Sequence, residues 1–291
     1  MANTDEDILT WHHDPDLRRP IMVLGLEGLF DAAEAATSAL RRLATRHGAT
    51  PLAEIDPELF FDFTQRRPTV HFDGKRRRVL AWPANTIVAA QRPDADHDLL
   101  VLAGVEPHLR WRTFTDQVAD IVQRAEAEMV VTLGAMAGLA PHTRPLGVVA
   151  SSTDRALADR LGLGTPSYQG PTGVVGVLHD RLASDGVPVV SLRVSVPHYV
   201  PGPPNPEAAR SLLSRLELVT GIDGGHDEMH EMASDWRARV DAAVNDDDDM
   251  SEYVRHLEKQ VEDEADELLP SGDDLAAQLE AFLRNRSDGD D

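Results

Sequence analysis

The chain has 291 residues, 42% of them hydrophobic, no cysteine and a formal net charge of −22. This length can bury a sizeable core in one domain or two, and the lack of cysteine excludes disulfides, thiolate zinc sites and a cysteine nucleophile. The negative field disfavours nucleic acid and anionic membrane surfaces. The longest apolar run, Met129 to Ala140, falls short of the roughly 20 residues that a membrane-spanning helix needs. The acidic start, MANTDEDILTWHHDPD, has no basic segment leading into an apolar one. No secretory signal is expected, and the cytoplasm is the expected location.

Residues 1–16 read as an N-terminal tail. The apolar run Ile21–Leu24 predicts a buried strand, with Gly25 and Gly28 allowing a tight exit. DAAEAATSALRRLATRHG follows as a helix with Ala33, Ala36, Leu40 and Leu43 on one face and Gly48 as its stop. ELFFDF, TVHF, RRVLAWP and NTIVAAQ are β-rich runs punctuated by proline, glycine and asparagine. The basic cluster GKRRR, Gly74 to Arg78, sits between two of them and predicts a hairpin turn. Leu99–Ala103 is a second buried strand ending in a glycine turn. An amphipathic helix then carries Phe114, Val118, Ile121, Val122 and Ala125, with Thr113 or Thr115 as its cap. EMVVTLGAM and LGVVASS are strands around the loop AGLAPHTRP, and TDRALADRLGL is a short helix. GPTGVVGVLHDRLASDGVPVVSL is a helix and a strand, and EAARSLLSRLELVTG a further helix. Strands apolar on both faces, alternating with helices, predict a three-layer α/β/α sandwich over 17–222 with a largely parallel sheet.

From Asp223 onward the pattern changes. This segment holds 23 acidic and 6 basic residues, and its apolar stripes have helical spacing. Met229, Met232, Trp236, Val240 and Val244 form one stripe. Val254, Leu257, Val261, Ala265 and Leu268 form another, and Leu275, Leu279 and Phe282 a third. Residues 223–291 therefore predict an acidic helical extension.

No catalytic constellation emerges. GPTGVVG lacks the lysine of a phosphate-binding P-loop and the spacing of a dinucleotide fingerprint, so it reads as an architectural turn with Thr172 capping the next helix. Glu27 sits where open α/β sheets place ligands. His142 and Arg144 lie in a loop between strands, and no nucleophile elbow accompanies them. His226 and His230 are one helical turn apart, with no third ligand beside them, so no metal is expected. A pocket at the C-terminal edge of the sheet would draw on Gly25, Glu27, Gly28, His142, Arg144, Thr172 and Gly173. No catalytic residue and no cofactor are expected.

The pieces MVLGLEGLFDAA, LAGVEPHLRWRTF, LGAMAGLAPHTRP, GPTGVVGVLHDRLASDGVPVVSLRVSVPHY and NPEAARSLLSRL, in that order, resemble the proteasome assembly chaperone 2 family in its actinobacterial branch. The likeness covers nearly all of residues 17–222. It implies a fold related to nucleoside phosphorylases and peptidyl-tRNA hydrolases, homo-oligomers with the trimer as the expected order, and a proteasome-related protein partner. It carries over no catalytic residue. Eukaryotic relatives dock through a hydrophobic–tyrosine–any-residue tail, whereas this sequence reads RNRSDGDD at its end. Two readings follow: a non-enzymatic oligomeric chaperone or scaffold linked to protein quality control, or a small-molecule binder or enzyme using the sheet-edge pocket.

Overall fold

The computed structural model describes residues 8–268 apart from Pro15, Pro201 and Pro203, with side chains described to Asp263. The expected third helix of the extension, at 271–287, lies outside the described residues. The chain divides into two compact units, Met1–Val240 and Asp241–Asp291.

The first unit is built on an eight-stranded sheet. Its strands are β1 (Leu9–Trp11), β2 (Ile21–Glu27), β3 (Thr50–Ile55), β6 (Asn85–Ala90), β7 (Leu99–Val105), β8 (Met129–Gly138), β9 (Val148–Ser151) and β10 (Val189–Pro197). They lie in the order β1-β3-β6-β7-β2-β8-β10-β9. The intervening β4 (Thr69–Phe72) and β5 (Arg78–Ala81) form a separate antiparallel ribbon around GKRRR, as the sequence predicts. Parallel pairing is confined to β7, β2, β8 and β10. The strands outside these four run antiparallel to their neighbours, so the sheet is mixed rather than largely parallel. β2 and β7 are buried almost end to end, which is the mark of strands covered on both faces.

Helices α1 (Ala35–Arg46) and α5 (Pro206–Thr220) cover one face, and α2 (Trp111–Arg124) and α4 (Val174–Ser184) cover the other. The short α3 (Arg155–Leu161) precedes α4. Leu40, Leu43, Leu212 and Leu216 fill the first layer, and Phe60, Phe114, Val118 and Leu178 the second. This is the expected α/β/α sandwich.

Several local expectations change. The run ELFFDF is no strand: Pro57–Leu59 is a single 3₁₀ turn, opened by the Asp56 carboxylate accepting from Glu58 N at 2.8 Å. Phe60 and Phe61 are buried beyond it. β1, within the stretch read as a tail, pairs along β3. Gly25 and Gly104 lie inside strands rather than in exit turns. A Cβ on Gly25 would meet Leu40 Cδ1 at 2.9 Å and Leu133 O at 3.0 Å, so the glycine lets α1 approach the sheet. Over Gly104 lies the buried Asn85 side chain, which accepts from Val105 N at 2.9 Å and donates to Val105 O at 3.2 Å.

After α5 the chain stays with the first unit to Val240. Asp223 pairs with Arg46, Glu228 pairs with both Arg42 and Arg46, and Arg237 pairs with Glu207. In α6 (His230–Asn245) and the turn before it, the buried stripe is Met229, Ala233, Trp236, Val240 and Val244, while Met232 faces solvent. In the second unit α7 (Asp248–Leu268) buries Val254 and Leu257, and Ser251 Oγ donates to Val244 O at 2.9 Å. No described helix is long and apolar enough to cross a membrane.

Candidate functional site

The helices that follow β2 and β7 pass to opposite faces of the sheet. A crevice opens between the C-terminal ends of such strands. A cavity of about 870 Å³ lies there, lined by Glu27 and Val105 from the ends of β2 and β7, by Ala137 from β8 and by Val196 and Pro197 from β10. Its volume is within the usual range for small-molecule sites, roughly 300–1,000 Å³.

Several polar groups of the lining are bound to one another or to backbone. Arg66 donates to both oxygens of Glu27, at 2.7 and 2.8 Å. That hydrogen-bonded guanidinium holds the Glu27 carboxyl below its ordinary pKa, against an opposing push from burial. Glu106 accepts from Leu29 N at 3.0 Å and crowds Gly28. A Cβ on Gly28, whose φ is +152°, would fall 2.8 Å from Glu106 Cβ. Asp31 is buried and accepts from Ala36 N and Thr37 N at 2.8 and 3.1 Å, with Thr37 Oγ1 donating to its other oxygen. It thereby satisfies the first free amides of α1 from four residues ahead of the helix, and burial raises its pKa above the ordinary value. Trp111 Nε1 donates to Pro107 O at 2.7 Å, and His108 Nδ1 accepts from Asp62 N at 3.1 Å. Ala33 and Glu34, also in the lining, both hold left-handed backbone, with φ of 54° and 50°. Such backbone costs of order 1–3 kcal/mol per non-glycine residue and gathers at functional sites.

Of the seven residues expected to form a pocket, Glu27, Gly28, Thr172 and Gly173 line the cavity. Gly25 is beneath α1, inside its strand. His142 is buried beside Tyr199, whose hydroxyl meets its backbone N at 2.9 Å and its Nδ1 at 2.7 Å. Arg144 lies exposed in the turn that Arg144 N closes onto Pro141 O. Neither His142 nor Arg144 is in the cavity lining. Thr172 does not cap α4: Gly173 holds the N-cap position without a side-chain bond, and Thr172 is exposed. Likewise α2 begins after Arg110 with no side-chain cap, and Thr115 Oγ1 donates instead to Arg112 O. Among the described residues no cluster of metal-ligating side chains occurs. His226 pairs with Glu217, and His230 is exposed.

Residues 25–244 match the PAC2 family. The chain belongs to the PAC2 family. A PAC2 family protein from Streptomyces avermitilis is 38% identical, with 81% of this chain and 99% of that one covered and a TM-score of 0.75. The proteasome-assembly chaperone homologue of Mycobacterium tuberculosis is 36% identical, with 80% and 99% covered and a TM-score of 0.73. An archaeal proteasome activator from Pyrococcus furiosus, at 17% identity, shares the fold at a TM-score of 0.64, with 81% and 97% covered. No curated protein matches the chain.

In this PAC2 chain the cavity residues that sequence reasoning missed include Asp31, Glu34, Arg66, Glu106, His108 and Trp111. Glu106 carried a usable signal, because it follows a buried strand just as Glu27 does. Arg66 carried none. It arrives from a loop distant in sequence, and only the fold brings it to Glu27.

Proposed function

We propose that the protein is a non-enzymatic, homo-oligomeric chaperone-like scaffold that acts on a proteasome-related partner in protein quality control. The observation that carries this reading is the 36% identity to the proteasome-assembly chaperone homologue across 99% of that chain. The cavity supports it too. Glu27, Asp31 and Glu106 are engaged in holding Arg66, the start of α1 and the Leu29 backbone. Groups so engaged order the loops at the end of the sheet. The test is native mass spectrometry of the purified chain with purified actinobacterial proteasome α-subunits. A defined complex is expected, and the absence of one at micromolar concentrations of both would overturn the reading.

A second reading has its own observation. An 870 Å³ cavity bordered by left-handed Ala33 and Glu34 has the size and stored strain of a ligand site. On that reading a metabolite screen by thermal shift finds a stabilising compound whose effect Arg66→Met removes.

A further inference from the structure

Several exposed large apolar side chains lie at one end of the first unit, while Val149, Leu218 and Met232 are exposed elsewhere, on β9, α5 and α6. Leu29 follows β2 and is 70% exposed, Leu109 follows β7, and Met136 and Leu139 stand at the end of β8. Tyr168, 72% exposed, lies in the loop leading to Thr172 at the cavity. The β4–β5 arm springs from the same end. β3 finishes at Ile55, opposite Asn85 at the start of β6, and Asn85 is bonded to Val105 at the end of β7. Between Ile55 and Asn85 the chain sends Arg66 to Glu27 and gives the Phe60 carbonyl to His108 N and Leu109 N.

The arm is paired along its length yet uncovered. Every residue of β4 and β5 is exposed. Val70, Phe72 and Leu80 share one face of the ribbon, Phe72 being 68% exposed, and Trp82 at its base packs on Phe63. Asp73 closes the tip by accepting from Lys75 N and Arg77 N, each at 2.8 Å, and by pairing with the Arg77 guanidinium. An isolated two-stranded ribbon is marginal in water, and an exposed apolar patch with a polar rim marks an interaction surface.

Charge selects the occupant. Lys75 to Arg78 is the longest basic run in a chain of net charge −22. The cavity at the same end is lined by Glu27, Asp31, Glu34 and Glu106, with Arg66 paired to Glu27 and Arg41 to Glu34. Two copies carry the same net charge, and opposite signs meet where the arm of one reaches the carboxylate-lined end of the other. We propose that the C-terminal end of the sheet is a self-association face, on which the β4–β5 arm of one copy seats against the cavity end of a second copy. This rests on the homo-oligomeric reading above and names its contact.

Thr69 and Ala81 are paired across the base of the arm, so residues 70–80 can be replaced by a two-glycine turn without parting the chain. Sedimentation velocity over a concentration series is the test. The natural chain is expected to sediment as an assembly that weakens as ionic strength rises, and the armless chain as a single chain. Lys75→Glu with Arg76→Glu, whose side chains make none of the tip's bonds, is expected to weaken association about tenfold or more at low salt. Phe72→Ser with Leu80→Ser is expected to do so at any salt. An armless chain that assembles like the natural one overturns this contact and leaves the oligomeric reading standing. A natural chain that stays single at every concentration overturns both, whether or not its arm then binds anionic vesicles or nucleic acid.

Discussion

Thr172 and Gly176 show how a glycine-rich turn gets its composition. A Cβ at Gly176 would stand 1.9 Å from Thr172 Oγ1 and 3.1 Å from Thr172 Cβ. The crowding is within one turn of chain, against an exposed side chain, and not against a neighbouring strand as helix-to-sheet packing suggests. Glycine inside a helix otherwise costs about 1 kcal/mol relative to alanine. Gly176→Ala is therefore expected to be neutral or destabilising by itself and to stabilise by up to about 1 kcal/mol in a Thr172→Ala background. Thr172→Ala alone is expected to stay within about 0.5 kcal/mol, since the residue is exposed and caps nothing. Urea melts of the four proteins read this coupling, and additive effects would contradict it. Gly48, with φ +59°, ends α1 through purely local geometry, so sequence alone finds it. Gly25 and Gly104 answer to Leu40 and Asn85, partners that only the tertiary fold supplies.

Helix α4 places its apolar residues Val174, Leu178 and Leu182 on the sheet, and between them His179 Nε2 meets Thr132 Oγ1 of β8 at 2.9 Å. Burial, and then the charge of Arg193, push the imidazole down from 6.5 to about 4. Between these values the unfolded chain binds the proton and the folded chain does not. This histidine's contribution to stability is therefore fully present above pH 6.5 and falls as pH drops from 6.5 towards 4. His179→Gln is expected to flatten that part of the stability curve. Denaturation midpoints of both proteins between pH 7 and 4.5 check it, and parallel curves would contradict it. The helices themselves were legible because their 3.6-residue stripes are intrinsic. α5 even shows its limits, with Asn205 accepting from Ala208 N, Pro206 at the first turn and Gly221 at φ +70° after the last. The antiparallel flanks of the sheet were not legible. β1 and β3 are short, and their pairing is fixed by partners far along the chain.

Across the whole chain, net charge changes sharply near Asp223, but packing does not follow charge. Glu207, 1% exposed, has Arg210 at 3.1 Å and Arg237 at 3.3 Å as its cations, so acidic composition conceals residues that the first unit needs. A chain ended at Gly221 loses Arg237 and the partners of Arg42 and Arg46, leaves Glu207 with Arg210, and loses the buried Met229 and Trp236, and a large apolar side chain contributes roughly 1.5–3 kcal/mol when fully buried. A chain ended at Asn245 keeps all of them. The shorter form is expected to melt well below the longer one, and equal melting by circular dichroism would contradict this. The proposed proteasome-related role is tested by the rate at which purified actinobacterial proteasome α- and β-subunits form the complete core particle, with and without the purified chain. Faster formation is expected, or a higher yield of complete particles, rising with added chain until the subunits are matched. Rates and yields unchanged at every ratio would contradict it.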